Sequence, residues 1–246
     1  PFQFGLIYVG SDDGFVHVSK NGGGDWMKIS NSLPQDLWVS RVIASSHKKE
    51  RVYVTLNGYR FDDFTTYVYI SDDYGKTFKN IGESIPTSPV NVIKEDPENE
   101  NILYLGTDNG LYISFDKGSS WNIFRKNFPN VAVHDLVIQP TAKHLIVGSH
   151  GRSLFKANIA SLQKMNAEIL AKPAHIFTIN NIKKNRNWGR SWSQWQKANT
   201  PEIIIPFYVN AAKKITLNIY NKDLIVKSLS FEADKGFNEA FFDVSF

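Results

Sequence analysis

The chain has 246 residues, of which 42% are hydrophobic and 13% aromatic, enough to build a sizeable core. It contains no cysteine, which excludes disulfides and thiolate metal sites, and no run approaches the roughly 18 uninterrupted apolar residues of a membrane span. The net charge of +4 sits in the C-terminal part, with 12 Lys and Arg against 7 Asp and Glu from Ile159 onward and 16 against 17 before it. No dense basic helix or nucleic-acid motif accompanies that excess, so it reads as solubility and no nucleic-acid partner is expected.

In chain order, short apolar runs recur in a fixed sentence of four strands. A first strand reads Val39 to Ser45, Val90 to Glu95 and Val133 to Gln139. A second reads Arg51 to Leu56, Asn101 to Gly106 and His144 to Gly148, with an earlier copy at Leu6 to Gly10. The third runs from Phe15 to Val18, Tyr67 to Ile70 and Leu111 to Ile113, and the fourth from Trp26 to Ile29, Phe78 to Ile81 and Trp121 to Phe124. The first unit thus starts at its second strand and the last, ending near Asn158, lacks its fourth. These leftovers duplicate strands two and three and cannot combine into one unit, and no export signal precedes Pro1. The expectation is a C-terminal piece of a longer parent, with upstream blades of that parent as partners.

Apolar positions at Ile159, Leu162, Met165, Ile169 and Leu170 predict one short helix, ended by Pro173. A polar, Trp-rich stretch follows from Asn180 to Asn199. Strands are then expected at Glu202 to Val209, Lys214 to Tyr220, Ile225 to Phe231 and Glu239 to Val244, the pattern of an incomplete immunoglobulin-like sandwich. The expected division is 1–158, 159–199 and 200–246.

Between the third and fourth strands one phrase is written three times: Ser19, Asn21, Gly23 and Trp26; Ser71, Asp73, Gly75 and Phe78; Ser114, Asp116, Gly118 and Trp121. Their starts lie 52 and 43 residues apart, a period of stacked four-stranded blades. The phrase resembles the Asp-box, the S-x-D-x-G-x-T-W turn of neuraminidase-type repeats. Its serine and acid can accept backbone N–H groups, its glycine can take φ > 0, and its aromatic can cover the turn. The acid therefore reads as structural. The first copy departs from the phrase, with Asn21 at the acid position and Asp25 at the threonine position.

Together with residues 57–64, Gly148 to Phe155, Trp188 to Trp192 and Gly236 to Asp243, these corners resemble the C-terminal part of large secreted bacterial proteins labelled sortilin-like or neuraminidase-repeat "glycosyl hydrolases". The resemblance implies one or two propellers followed by a small sandwich, exported to the periplasm, cell surface or beyond. A fold does not by itself carry an activity.

Function is expected on the loops joining second to third strands, which open on the face opposite the corners. They contain Asp13 beside Ser11 and Asp12; Tyr59, Arg60, Asp62 and Asp63; Asp108 beside Asn109; and His150 with Arg152. The Tyr59-containing loop is the longest and is expected to project. Its acids serve either a ligand or a brace to Arg60, and Asp12, Asp13 and Asp108 fit ordinary hairpin turns. Trp188 and Trp192 are candidates for stacking on sugar rings, or else pack at a domain junction. A glycosidase would need two carboxyl groups roughly 5 to 9.5 Å apart, with Asp63 facing Asp13 or Asp108. No triad, arginine cluster or paired-histidine spacing is present, and no catalytic residue, metal or cofactor is assigned. The reading is a non-catalytic segment binding an extracellular protein or polysaccharide, with a glycoside hydrolase or an architectural spacer as alternatives.

Overall fold

The computed structural model describes residues 3–125, 128–179, 181–183, 185–196 and 201–243, in two compact units, Pro1–Lys164 and Met165–Phe246. In the first unit, β-branched and aromatic runs form strands, and Gly, Asp and Asn clusters form the turns between them. The first sheet is β1 (Ile7–Gly10), β2 (Val16–Ser19) and β3 (Met27–Lys28). The second is β4 (Trp38–Ala44), β5 (Val52–Gly58), β6 (Asp63–Ser71) and β7 (Lys79–Asn80). The third is β8 (Val90–Glu95), β9 (Leu103–Thr107), β10 (Gly110–Ser114) and β11 (Asn122–Ile123), and the fourth is β12 (Val133–Gln139), β13 (His144–Ser149) and β14 (Leu154–Asn158). Each sheet is antiparallel with strands in chain order, the architecture of a partial β-propeller.

The segment expected as a projecting loop is largely strand. β5 runs through Gly58 and β6 starts at Asp63, so only a 3₁₀ turn, Tyr59–Phe61, and Asp62 join them. The hairpin is longer because the β ladder itself continues, with Gly58 paired to Asp63.

The corners between third and fourth strands close on their own hydrogen bonds. Ser71 Oγ donates to Asp73 Oδ1 at 2.7 Å and accepts the Gly75 N–H at 2.8 Å, while Asp73 accepts the Thr77 N–H at 2.9 Å and the Thr77 hydroxyl at 2.7 Å. Ser114, Asp116, Gly118 and Ser120 repeat the pattern, with the Ser120 hydroxyl 2.6 Å from Asp116 Oδ2. The Thr77 hydroxyl and amide hold the Asp73 carboxyl down to about 2. In the first corner the donor and the acid have exchanged places: Asn21 Nδ2 donates to Asp25 Oδ2 at 2.8 Å, and Asn21 Oδ1 accepts the Asp25 N–H at 2.9 Å.

The second and third corners also seat their units on the ones before. Gly75 and Gly118 have φ of 85° and 87°, and a Cβ at either would lie 2.3 Å or 2.6 Å from the Cδ1 of Ile29 or Ile81 in the preceding unit. Trp121 Nε1 donates to the Ile81 carbonyl at 2.7 Å. Phe78 and Trp121 pack against the apolar clusters built around Ile29 and Ile81, whereas Trp26, in the first corner, is exposed. Between second and third sheets, the buried Glu95 accepts Ser45 Oγ, the Ser46 N–H and the Tyr53 hydroxyl, at 2.6 to 2.9 Å. Each lone pair of a buried carboxylate needs such a donor.

The single helix expected over residues 159–170 is two pieces, a 3₁₀ turn at Leu162–Lys164 and α1 (Ala167–Ala171). Asn166 divides them: its backbone is extended and its side chain accepts the Ile169 N–H, so it caps a new helix instead of continuing the old turn. Gln163 Nε2 reaches the buried Asp96 at 3.1 and 3.2 Å, which ties the 3₁₀ turn into the first unit.

The second unit contains β15 (Ala174–Ile176), missed by sequence reasoning because it is only three residues long, β16 (Glu202–Val209), β17 (Lys213–Asn221), β18 (Leu224–Ala233) and β19 (Gly236–Asp243). The sheets are β15-β16-β19 and β17-β18, and their facing sides share a cluster of Ile205, Phe207, Val209, Leu217, Ala233 and Ala240. No helix among the described residues is long and apolar enough to cross a membrane.

Ser71→Ala leaves the buried Gly75 N–H without an acceptor and is expected to lower stability by about 1 to 3 kcal/mol in urea denaturation. Asn21→Asp places two carboxylates together and lowers the melting temperature, and adding Asp25→Thr restores it by recreating the other corners' chemistry.

Candidate functional site

The first strands β4, β8 and β12 lie next to one another, and each carries a bulge at the same step. The register slips between Val39 and Arg41, between Val90 and Val92, and between Val133 and Asp135, leaving Ser40, Asn91 and His134 as the extra residues. A bulge bends its strand and re-aims a side chain. Gly106 permits the close approach here, since a Cβ would sit 2.6 Å from side-chain carbons of both Val133 and Val92.

The bulged residues link the ends of the second strands. Asn57 Oδ1 accepts the Tyr59 N–H at 3.0 Å, and Asn57 Nδ2 donates to Asn91 Oδ1 at 3.0 Å and to the Val90 carbonyl at 3.2 Å. Asn91 Nδ2 in turn donates to Asp108 Oδ1 at 2.8 Å and to the Val133 carbonyl at 3.3 Å. One relay thus runs through three successive sheets. Ser40 and Thr55 share a hydroxyl bond of 2.8 Å, and the rings of His134 and His150 lie 5.1 Å apart with planes tilted by 32°. Arg41 Nη2 reaches from β4 to Asp135 on β12, 2.9 Å away, with both side chains partly exposed. The Arg41 Nε is buried without a partner.

The structure brings together some of the sequence candidates and separates others. Asp108 and His150 belong to this rim, Asp108 through Asn91 and His150 through His134. Tyr59 joins it through its backbone. Among the described residues Arg60 pairs with no carboxylate; it stacks on Trp38, its Cζ 3.9 Å from the ring centre, a cation–π contact. Asp63 is held by the Thr65 N–H at 2.9 Å and the Tyr67 hydroxyl at 2.8 Å, and these bonds lower its pKa, the Thr65 amide most. Asp62 is the left-handed residue closing the 3₁₀ turn, with φ of 57°. The Ser11 hydroxyl lies against Asp13 and holds its carboxyl below the ordinary value. Tyr59, Phe61, Phe64 and Arg152 are exposed. Trp188 is half-buried, while Trp192 and Trp195 are 95% and 87% exposed.

Sequence reasoning missed Asn57, Asn91, Arg41, His134, Asp135 and Trp38. A signal existed: each first strand carries a polar intruder directly after its leading valine, at Ser40, Asn91 and His134. Among the described residues no group of three or more His, Asp or Glu could hold a metal ion. The rim can present hydrogen-bond donors and acceptors, a cation and two imidazoles to a polar ligand. The tethered Asp13 and Asp63 are depressed, the opposite of the raised carboxyl a general acid requires.

The Sortilin-Vps10 family, described as "Sortilin, neurotensin receptor 3", matches residues 66–235, and the chain belongs to that family. No curated protein matches the chain. Among solved structures it is similar to a GH74 enzyme of Niastella koreensis, at 19% identity and TM-score 0.51, over 63% of this chain and 27% of that one. It is also similar to the GH74 xyloglucanase of Xanthomonas campestris, at 13% identity and TM-score 0.51, over 98% and 37%. An ancestral GH74 enzyme gives 12% identity and TM-score 0.50, over 94% and 32%. The chain spans about a third of the length of these structures, and at such identities the likeness is one of fold alone.

Asn91→Ala strips both neighbours of a partner, and a double-mutant cycle with Asn57→Ala is expected to show coupling of roughly 0.5 to 3 kcal/mol in chemical denaturation. Asp63 should titrate below its ordinary value by NMR. Since its folded pKa is depressed, its contribution to stability is present above the unfolded pKa and fades as pH falls through the folded one. Tyr67→Phe moves the midpoint upward by removing a donor to the ionised form.

Proposed function

We propose that the first unit is a non-catalytic ligand-binding or scaffolding segment of a β-propeller in a secreted, periplasmic or cell-surface protein, and that its ligand is an extracellular protein or polysaccharide. Its serine–glycine corners act as Asp-boxes, and upstream blades of the same parent complete the rim. Residues 159–199 serve as linker, and residues 200–246 form part of an immunoglobulin-like sandwich.

The observation that carries this reading is the interlocked rim itself. Asn57, Asn91 and Asp108 satisfy one another, Arg41 and Asp135 form a pair, and the His134 and His150 rings lie 5.1 Å apart. Such mutual satisfaction fixes side chains in place before a ligand arrives, which favours recognition. A glycosidase pair would need one carboxyl raised and available, whereas Asp63 and Asp13 are each engaged by local donors that favour the ionised form. The exposed Tyr59, Phe61 and Phe64 add an apolar flank beside the rim; within the second unit, Trp188 and Trp192 are separate candidates for stacking on sugar rings.

The test is a glycan array and an extracellular-peptide library, together with chromogenic glycosides. The expected result is capture without turnover, weakened at least tenfold by Arg41→Ala or His134→Ala. Hydrolysis that disappears in Asp62→Asn with Asp63→Asn would overturn the reading in favour of a glycoside hydrolase.

A further inference from the structure

Between Glu168 and Glu202 the sequence holds six Lys or Arg and no Asp or Glu, and three of the chain's six tryptophans, Trp188, Trp192 and Trp195, lie in the same stretch. A run of one charge with nothing beside it to neutralise it attracts the opposite charge from outside. Among the described residues no carboxylate pairs with Lys183, Arg186 or Arg190, and all three residues are exposed.

Local hydrogen bonds fix the backbone here. The Asn185 side chain accepts the Asn187 N–H at 3.0 Å and the Asn185 carbonyl accepts the Trp188 N–H at 3.1 Å. The Asn187 carbonyl accepts the Arg190 N–H at 3.2 Å, and the Ser193 carbonyl accepts the Gln196 N–H at 3.1 Å. Gly189, with φ of 74°, lets the chain reverse between Trp188 and Arg190. Turns closed on their own backbone hold their shape without packing every side chain. Trp188 is half-buried, whereas Trp192 and Trp195 stand in solvent. Tryptophan is largely buried in most proteins, so two bare indoles three residues apart mark a surface that meets something else.

The chemistry of the segment selects the ligand. The negative face of an indole attracts the weakly positive C–H groups of a sugar ring. The exposed amides of Asn187, Gln194 and Gln196 each offer donors and an acceptor, as neighbouring sugar hydroxyls require. The guanidinium groups of Arg186 and Arg190 are planar forks that match a carboxylate. A lipid surface is a worse match, because the bare rings are flanked by Ser191, Ser193, Gln194 and Gln196, where an interfacial segment carries an apolar face. Single-stranded nucleic acid, bound by stacking and charge, leaves the amides without a role.

We infer that residues 185–196 form a second binding site, and that its ligand is an acidic polysaccharide, with sugar rings on Trp192 and Trp195 and uronate carboxylates on Arg186 and Arg190. The inference rests on the reading of an exported polysaccharide-binding protein, and adds to it a ligand class and a site built from residues other than those of the rim.

The probe is polygalacturonate, a polymer of uronate, run against the full chain in affinity electrophoresis. Saturable retardation is expected, weakening as salt rises. Trp192→Ala with Trp195→Ala, and separately Arg186→Gln with Arg190→Gln, should each weaken it at least tenfold at an unaltered melting temperature, since these residues are already in solvent. Absence of saturable retardation overturns the inference whatever the rim captures. Equal retardation by neutral dextran, retardation that survives either pair of substitutions, or tighter binding of oligothymidylate or of phosphatidylglycerol vesicles overturns it too. Polygalacturonate binding that both pairs of substitutions abolish, with no capture by the rim, supports it and tells against the rim alone.

Discussion

The constraint on which the first unit depends is the seating of the second and third serine–glycine corners on the aliphatic residue that ends the preceding unit. Gly75 lies on Ile29 and Gly118 on Ile81, at distances where no side chain fits, and the serine of the same corner satisfies the glycine amide that this approach would otherwise strand. Local hydrogen bonding and long-range packing are therefore one interaction. A close-packed contact needs the glycine, a glycine with positive φ needs a turn, and a buried turn needs internal acceptors.

That arrangement ties up the polar groups at one end of each sheet in local bonds. The corners consume their own polar groups, while the opposite ends expose a row whose members come from different sheets. Bulges at Ser40, Asn91 and His134 shift the first strands by one residue and bring amide, imidazole and guanidinium groups into a shared rim. The polar groups there are bonded mostly to one another, and the Arg41 Nε is buried without a partner. Of the carboxylates considered for a glycosidase pair, Asp13 and Asp63 bond within their own hairpins and Asp108 bonds to Asn91.

Much of this was legible in the sequence because it is local. The corner phrase encodes its bonds within seven residues, and even the exchanged Asn21 and Asp25 keep a side-chain bond to each other and the bond from the later residue's N–H. The strand order followed from repetition. The break at Asn166 was less visible, because an apolar period near 3.6 continues across it while the cap is decided by one side chain. The strand on either side of the Tyr59 to Asp62 turn extends further than expected, because its ladder is maintained by cross-strand pairing that polar residues do not announce.

The sequence by itself determined the repeating four-strand unit and the chemistry of its corners, since both depend on residues close in the chain. Only the tertiary structure decided which side chains meet at the rim. Asn57 and Asn91 are 34 residues apart and Arg41 and Asp135 are 94 apart, and their contact exists because strand bulges and sheet stacking bring distant positions together. It also decided that Trp192 and Trp195 are bare where Trp121 is packed, because burial is a property of neighbours and not of the residue.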